Sequence, residues 1–200
     1  SVKELFQEDM PHKAVLAHII TSEIAGVVQQ IENKNTPAED IVAVTEGCYP
    51  VVFPANQTYK AGNIDSNAAA MYGYAEEGSA PALHHLTGVL RFAVKGEVTL
   101  SQLTVKSQSG SISGTYDVNC ATGALTAQDG KVSDTVTISF GEGLVLGSEA
   151  TPIYVAVPAG TYGKVSATFY AAAGTKMVAK FDTSAKPINA GSIREFAPFT

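Results

Sequence analysis

The sequence predicts a mainly β fold, in which an antiparallel β-sandwich follows a smaller, irregular N-terminal region. Residues 86–200 form short runs in which apolar and polar side chains alternate, separated by turn residues, as in half-buried antiparallel strands. The composition agrees, because 45% of the residues are apolar but only 16% are charged, against roughly 25% in an average soluble domain. Serine, threonine, glycine and alanine make up the difference, and they suit strands with hydroxylated outer faces.

The overall charge argues against one class of partner. The chain carries 13 Lys and Arg against 19 Asp and Glu, for a formal net charge of -6 and an isoelectric point near 5.2. A surface of this sign repels phosphate backbones and anionic membranes, so no nucleic acid and no membrane surface is expected as a partner. The sequence contains no apolar run near the roughly 18 residues that a membrane-spanning helix needs.

The second part of the chain is predicted strand by strand from apolar residues at every second position. Residues 88–95 are typical of a half-buried strand, Asp129-Gly130 predicts a tight turn between two strands, and residues 192–199 form the last candidate strand. The predicted inward-facing side chains are Leu90, Phe92, Val94, Ile112, Tyr116, Val118, Val136, Ile138, Phe140, Ile153, Val155, Val157, Val165, Ala167, Phe169, Met177, Ala179 and Phe181.

One strand carries a predicted irregularity. In residues 98–106 the apolar side chains occupy even positions at first and odd positions afterwards, and the change falls across Ser101 and Gln102. A β-bulge or bend there keeps both sets facing the same core.

The N-terminal part is predicted to be a separate region, with residues 1–83 in a small β-rich unit and residues 84–200 in the sandwich domain. An amphipathic helix over residues 16–31 is favoured by apolar residues spaced by three or four, which are Leu16, Ile20, Ile24, Val28 and Ile31. Alternation at Val15, Ala17 and Ile19 is also compatible with a strand, so both structures stay open.

The rest of the N-terminal part predicts short strands joined by a long loop. Strands are expected at residues 41–44 and 49–53 because both runs are apolar and rich in β-branched or aromatic side chains. Residues 56–81 are rich in glycine, asparagine and alanine, which indicates a long loop with one short strand at residues 71–74.

No catalytic or metal site is expected. His84 and His85 are neighbours, and neighbouring side chains on a strand point to opposite faces, so the two cannot chelate one ion. Cys48 and Cys120 are the only cysteines, too few for a thiolate zinc cluster, and either one disulfide or two separate thiols is compatible with them. Because no set of catalytic or cofactor-binding motifs converges, the chain is predicted to be non-enzymatic and to bind no cofactor.

Tyrosines in the N-terminal part suggest a ligand site as one interpretation. Tyr72 and Tyr74 are candidates for stacking on a glycan or contacting a partner protein. A small core can equally hold tyrosine rings and leave the hydroxyls at its edge. Both interpretations stay open.

Six segments of the chain follow one another in a characteristic order. They are HLTGVLRFAVKG at residues 85–96, LTVKS at 103–107, ISG at 112–114, PIYVAVPAG at 152–160, AG at 190–191 and IREF at 193–196. In this order, with Tyr49-Pro50 and the loop before Tyr72 upstream, they resemble the fimbrillin-like proteins of Bacteroidales. The similarity covers roughly residues 49–199, and the order of the segments carries it rather than any single motif.

The resemblance implies a transthyretin-like Greek-key β-sandwich in an exported protein of the cell surface, the fimbrium (pilus) or the outer membrane. Such a protein is a secreted, lipoprotein-derived fimbrial subunit, tip or anchor that acts in cell adhesion. It assembles by strand addition, in which an extended segment of one subunit completes the sheet of the next. Membrane attachment is then expected only through an upstream lipid anchor outside this chain.

Under this resemblance the C-terminal segment is the candidate strand donor, and residues 1–31 are a candidate for removal or exchange. The donor positions are Ser192, Ile193, Glu195, Phe196 and Phe199. The expected partners are other fimbrial subunits or further copies of this chain, with a host or bacterial surface ligand in addition. The alternative function is a surface glycan-binding lipoprotein module, which an exposed tyrosine row beside a groove would favour.

Overall fold

The structure, a computed structural model, describes residues 12–18, 41–44, 48–76, 82–119, 121–198 and 200. In these ranges the chain forms fifteen β-strands and one short 3₁₀ turn, Ser66–Ala68, and no α-helix. The mainly β prediction is therefore confirmed. The strands are β1 (His12–His18), β2 (Ile41–Val44), β3 (Cys48–Phe53), β4 (Asn56–Thr58), β5 (Ala70–Glu76), β6 (Ala82–His85), β7 (Thr87–Val94), β8 (Thr99–Ser107), β9 (Ser113–Asn119), β10 (Leu125–Ser133), β11 (Thr135–Val145), β12 (Thr151–Pro158), β13 (Lys164–Ala171), β14 (Lys176–Asp182) and β15 (Ile193–Glu195).

The described strands form four sheets. The largest has the strand order β14-β13-β8-β11-β4, and a three-stranded sheet has the order β12-β7-β15. Two smaller sheets have the orders β10-β9-β3 and β2-β1-β5-β6. Neighbouring strands are antiparallel except in two pairs, β4 with β11 and β15 with β7, which are parallel.

The main core lies between the five-stranded sheet and the β12-β7-β15 sheet. Phe92 of β7 meets Phe169 of β13 edge-on, with ring centroids 5.6 Å apart, so the two sheets face each other as a sandwich. The predicted inward-facing residues of β7, β11, β12 and β13 are all buried in this core, and those of β14 pack against it half-buried. The alternating pattern therefore identified the sandwich correctly.

The irregularity predicted in β8 is present. Leu100 and Leu103 are both buried in the main core although their positions differ in parity. The register with β13 passes from Tyr170 opposite Gln102 to Ala171 opposite Leu100, so Ser101 has no partner across the pair. The bulge lets both leucines face inward, which confirms the prediction.

Strand β7 is buried on both faces, and the prediction of a half-buried strand is wrong there. Val89 and Ala93 point away from the main core, yet they are only 1% and 4% exposed. Ile64 and Ala68 from the segment around the 3₁₀ turn pack with Val89 in a separate small cluster. A segment that the sequence predicts as loop therefore covers the outer face of the sheet, and local periodicity cannot reveal such a cover.

A second, smaller core joins the two parts of the chain. Phe53 of β3 packs edge-on against Tyr116 of β9, with centroids 5.3 Å apart, and Tyr72 and Leu86 belong to the same cluster. Strand β6 itself crosses the predicted boundary between residues 83 and 84. The division into two domains stays a prediction, and the described strands of both parts share sheets and cores.

The helix favoured over residues 16–31 is wrong for the part that the structure describes. Residues 16–18 belong to β1, which pairs along its full length with β5 and over four residues with β2. The remaining residues of the predicted helix lie outside the described ranges. The stretch satisfies both periodicities, and pairing with two distant strands decides for the strand.

Asp129-Gly130 bends the chain inside β10 instead of between two strands. The register of β10 with β9 jumps from Ala127 to Val132, and Gly130 adopts a φ of +71° in the residues that are left unpaired. The sequence locates the bend, but the prediction of a turn between strands is wrong, because the runs on both sides of it pair with the same strand.

Candidate assembly site at the C-terminal strand

The C-terminal segment completes the sheet beside β7. β15 runs parallel to β7 with Ile193 opposite Val89 and Glu195 opposite Arg91. Backbone bonds continue past the short strand at both ends, since the Gly191 N–H donates to Thr87 O at 2.9 Å and the Phe196 N–H donates to Arg91 O at 3.1 Å. The last predicted strand is thus present, but it is three residues long and parallel.

A glycine in β7 lets the segment approach closely. A Cβ atom on Gly88 would lie 2.5 Å from Ile188 Cγ2 and 2.6 Å from Asn189 O, distances that real Cβ atoms do not adopt. Ile188 is itself fixed, because its backbone N–H and C=O both bond to Gly160 at 2.9 Å. The chain therefore enters β15 through a contact that only glycine at position 88 permits.

Phe196 anchors the segment in the main core. Its ring stacks on Phe92 with centroids 4.9 Å apart and an interplanar angle of 8°, and it contacts Phe181 at 4.6 Å. Phe92 belongs to the three-stranded sheet and Phe181 to β14, so the Phe196 ring contacts aromatic side chains of both layers. Aromatic pairs of this kind contribute beyond their buried area.

Arg194 ties the segment to the end of β14. Its guanidinium donates to Lys186 O at 2.7 Å and to Asp182 O at 3.0 Å, and its central carbon lies 5.1 Å from the ring centroid of Phe181. Partial burial lowers the pKa of Arg194, and the nearby Asp182 carboxylate acts in the opposite direction. The side chain thus holds β15 through backbone carbonyls and a cation–π contact.

The outward-facing donor positions are open to solvent. Ser192 and Glu195 are exposed, and Ile193 is 50% exposed. Glu195 forms an ion pair with Arg91 at 3.3 Å, and both side chains remain accessible. Phe199, the last predicted donor position, lies outside the described residues. The segment is therefore held mainly by one ring, one arginine and a few backbone bonds.

The opposite edge of the same sheet is closed by a side chain. Gln57 Nε2 donates to Ala156 O at 2.6 Å, and the Ala156 N–H donates to Gln57 Oε1 at 3.2 Å, so one amide bonds both backbone groups of a residue in β12. Gln57 is 3% exposed and lies in β4 of the other sheet. Nothing in the sequence singles out this residue, because a lone glutamine in a polar triplet carries no periodic signal.

His85 lies against the start of the C-terminal segment. A Cβ on Gly191 would lie 3.4 Å from His85 Cδ2, and the buried Nδ1 of His85 has no hydrogen-bond partner in the described part of the chain. Burial lowers the pKa of His85, and the neighbouring His84 lowers it further. Protonation of this ring is therefore unfavourable in the folded state.

We expect acid to destabilise the fold through His85. Because its pKa in the folded state lies below the ordinary value of 6.5, the unfolded chain takes up the proton first. The contribution of the neutral His85 ring to the free energy of unfolding is then fully present above pH 6.5, and it is lost as the pH falls from there through the lowered pKa. Urea unfolding at pH 8 and pH 5 should show a smaller loss for His85→Gln than for the wild type. An equal loss in His85→Gln and in the wild type would contradict this assignment.

The tyrosine candidates occupy different surroundings. Tyr72 is 6% exposed and packs in the smaller core, so its ring offers no open face to a ligand in this structure. The backbone of Tyr74 lies in β5, and its side chain is outside the described residues. A stacking role for Tyr74 stays a prediction.

A metal cluster and a membrane-spanning helix are both absent from the described residues. Within the described ranges, no three His, Cys, Asp or Glu residues come together as a metal site. In the same ranges no helix has the length and apolar character to cross a membrane. Cys48 is a free, exposed thiol, and Cys120 lies outside the described residues.

Comparison with known proteins yields a structural likeness but no family. No protein-family model matches the chain, and no curated protein matches it. Among solved structures, it is similar to the crystal structure of a candidate cell adhesion protein from Bacteroides ovatus, with 10% sequence identity and a TM-score of 0.44. The alignment covers 92% of this chain and 78% of the other. A likeness this slight assigns no family, so the fimbrillin-like resemblance stays a prediction from the sequence.

Proposed function

We propose that this chain is a non-enzymatic cell-surface subunit that acts in adhesion and assembles with its own kind or with related subunits by strand addition. In the assembly, the C-terminal segment of one copy takes the place beside β7 of the next copy. As a fimbrial subunit, tip or anchor it would be exported, as the sequence resemblance implies. The observation that carries the proposal is the way β15 is held.

The seat of β15 has the features that strand exchange requires. The donor strand pairs with β7 over only three residues, so few backbone bonds must break for it to leave. Phe196 is a large apolar anchor that would fill the same aromatic pocket in a second copy. Without β15, the edge of β7 would offer its backbone groups over Thr87–Val94 to another strand.

The β14 edge of the five-stranded sheet is a weaker candidate for strand exchange. Edge strands that must not pair are commonly protected by lysines, and β14 carries Lys176 and Lys180 on its outward face. β15, which covers the β7 edge, carries no comparable row of lysines. Its charged residues are Arg194 and Glu195, and both are engaged in contacts. The geometry therefore favours exchange at β7.

Removal of residues 192–200 is expected to abolish assembly. Full-length and shortened chains would be compared by size-exclusion chromatography and electron microscopy, and the shortened chain should stay monomeric. Assembly of the shortened chain to the same extent as the full chain would contradict the proposal.

Binding of an added peptide shows whether the shortened chain is folded with a vacant binding site beside β7 or is misfolded. A synthetic peptide of residues 192–200 should bind the shortened chain, and the same peptide with Phe196→Ala should bind at least about tenfold more weakly, because the lost ring contributes well over 1.4 kcal/mol. A peptide of the same composition in scrambled order is the control. Equal binding of all three peptides would show that no specific seat exists.

A further inference from the structure

A depression of about 640 Å³ lies on the five-stranded sheet, and two of its lining residues, Phe181 and Asp182, also contact Arg194 of β15. It covers the ends of β14, β13 and β8, where Ser166 lies directly between Lys180 on one side and Lys106 on the other. One row further, Lys164 is opposite Asp182, and the Gln108 N–H donates to Lys164 O at 2.8 Å. Since paired strands are about 4.8 Å apart, the two lysines flanking Ser166 start about 10 Å apart across the floor of the depression.

The rim of this depression is positively charged in a chain that is negative overall. Three of its outward side chains are lysines, and the depression has Asp182 as its one carboxylate. Lys106 pairs with Asp134 at 3.4 Å, while Lys164 and Lys180 make no ion pair within the described ranges. The Asp182 carboxylate accepts the Ser184 N–H at 2.7 Å, and hydrogen bonding from Ser184, with smaller contributions from the charges of Lys164 and Arg194, lowers the pKa of Asp182. Because neither Lys164 nor Lys180 is within ion-pair distance of a carboxylate in the described ranges, both ammonium groups can contact an incoming anion.

The walls suit an organic ligand better than a bare ion. The lining is largely aliphatic, as expected where lysine stems lie along a sheet and their ammonium groups reach outward. The volume is within the range of small-molecule sites and far exceeds that of a single inorganic anion. Ser166 and Gln108 add neutral hydrogen-bonding groups at the rim.

The surface next to the depression is flat and hydroxylated. Thr168 lies opposite Thr104, and Thr104 lies opposite Thr137, so three threonines form a row across β13, β8 and β11. Tyr170, two residues beyond Thr168 on the same face, is 37% exposed. Such a face offers hydrogen bonds and one ring to further sugar units beyond the charged one.

We propose that this depression binds an acidic saccharide through a carboxylate or sulfate group held by Lys164, Lys180 and the hydroxyl of Ser166. A short acidic oligosaccharide fits better than a long polyanion, because the net charge of -6 repels extended negative chains. As the surface ligand of an adhesive subunit, this assignment rests on the proposed function. The ligand groups are Lys164, Lys180 and Ser166, whereas β15 is held by contacts with β7, with Phe181 and with the backbone carbonyls of residues 182 and 186, so either function can fail alone.

Binding would be measured by isothermal titration calorimetry with four probes. These are a heparin-derived hexasaccharide, a hyaluronan hexasaccharide, a neutral dextran hexasaccharide and inorganic sulfate. We expect at least one acidic hexasaccharide to bind and the neutral one not to bind. The double variant Lys164→Glu/Lys180→Glu should weaken binding at least about tenfold, since charge-assisted hydrogen bonds of roughly 1.5–3 kcal/mol are lost.

The matched control is Lys95→Glu/Lys131→Glu, which makes the same change in net charge at two exposed positions outside the five-stranded sheet, directly after β7 and in β10. It should bind like the wild type. No binding of either acidic hexasaccharide, equal binding of the neutral one, inorganic sulfate as tight as the saccharides, or an equal loss in the control variant would each overturn the site. Assembly of the Lys164→Glu/Lys180→Glu variant should be unchanged, so failure of the saccharide site and failure of strand exchange are separate results.

Discussion

Replacing Gln57 by alanine is expected to lower the free energy of unfolding by about 3 kcal/mol. The substitution removes three hydrogen bonds, one of them a long bond of 3.4 Å to Pro54 O, and leaves the N–H and C=O of Ala156 without partners at a position that is 2% exposed. Urea unfolding followed by circular dichroism measures the loss. The effect is large because an unsatisfied buried peptide costs more than the bond that satisfied it contributed.

Two further variants test whether the amide acts through both of its atoms. Gln57→Glu keeps an acceptor but cannot donate to Ala156 O, so it should be about as destabilising as Gln57→Ala. Asn56→Ala, at the exposed neighbouring position, should change stability by less than about 0.5 kcal/mol. If Gln57→Ala lowered the free energy of unfolding as little as Asn56→Ala, the packing of β4 against β12 would not depend on the Gln57 side chain.

Replacing Phe196 by alanine is expected to cost about 2–3 kcal/mol, somewhat less than for a fully buried ring. The ring loses its stacking on Phe92 and its contact with Phe181, and β15 loses the anchor that holds it beside β7. Amide exchange should show the local effect, since the Val89 N–H donates to Ser192 O and should exchange much faster in the variant.

The control for this substitution lies three residues earlier. Ile193→Ala also truncates a large apolar side chain of β15, but at a position that is half exposed, and it should cost less than about 1 kcal/mol. If the two variants lost equal stability, or if Val89 stayed protected in Phe196→Ala, the ring would not be the anchor of the segment.

Local periodicity carried most of the fold. Val136, Ile138 and Phe140 are buried, and Ser139 between them is exposed, as expected from alternation alone. A change of parity was also sufficient to locate the bulge in β8. These features depend only on which face of one strand meets the core, and a single sequence contains that information.

Contacts between segments that are distant in sequence could not be predicted, because the alternation within one strand does not identify the strand that pairs with it. β1 is a strand because β2 and β5 pair with it, and the cover over Val89 comes from residues that look like loop. The parallel direction of β15 follows from the route of the preceding chain past Gly88, which no local pattern encodes. Neighbouring residues in sequence show strand character but not the partner or its direction.

The candidate site was predicted in part. The sequence identified the C-terminal segment, and its strand is present, but it did not single out Phe196 as the anchor or Arg194 as its clamp. The lysine cluster around Ser166 could not be predicted, because its members lie on three strands and become neighbours only through the register in which these strands pair. Charged residues that are isolated along the chain form a cluster only once the sheet is assembled.

Cross-linking between two single-cysteine chains tests strand exchange most directly. In a Cys48→Ser/Cys120→Ser background, one chain carries Arg91→Cys and the other Glu195→Cys, the two positions that form an ion pair across β7 and β15. Each chain alone lacks a partner within itself, so a disulfide between positions 91 and 195 can form only when β15 of one copy lies beside β7 of another. Strand exchange predicts that mixed, assembled chains give this disulfide in high yield under mild oxidation. Assembled chains that give none would contradict the account.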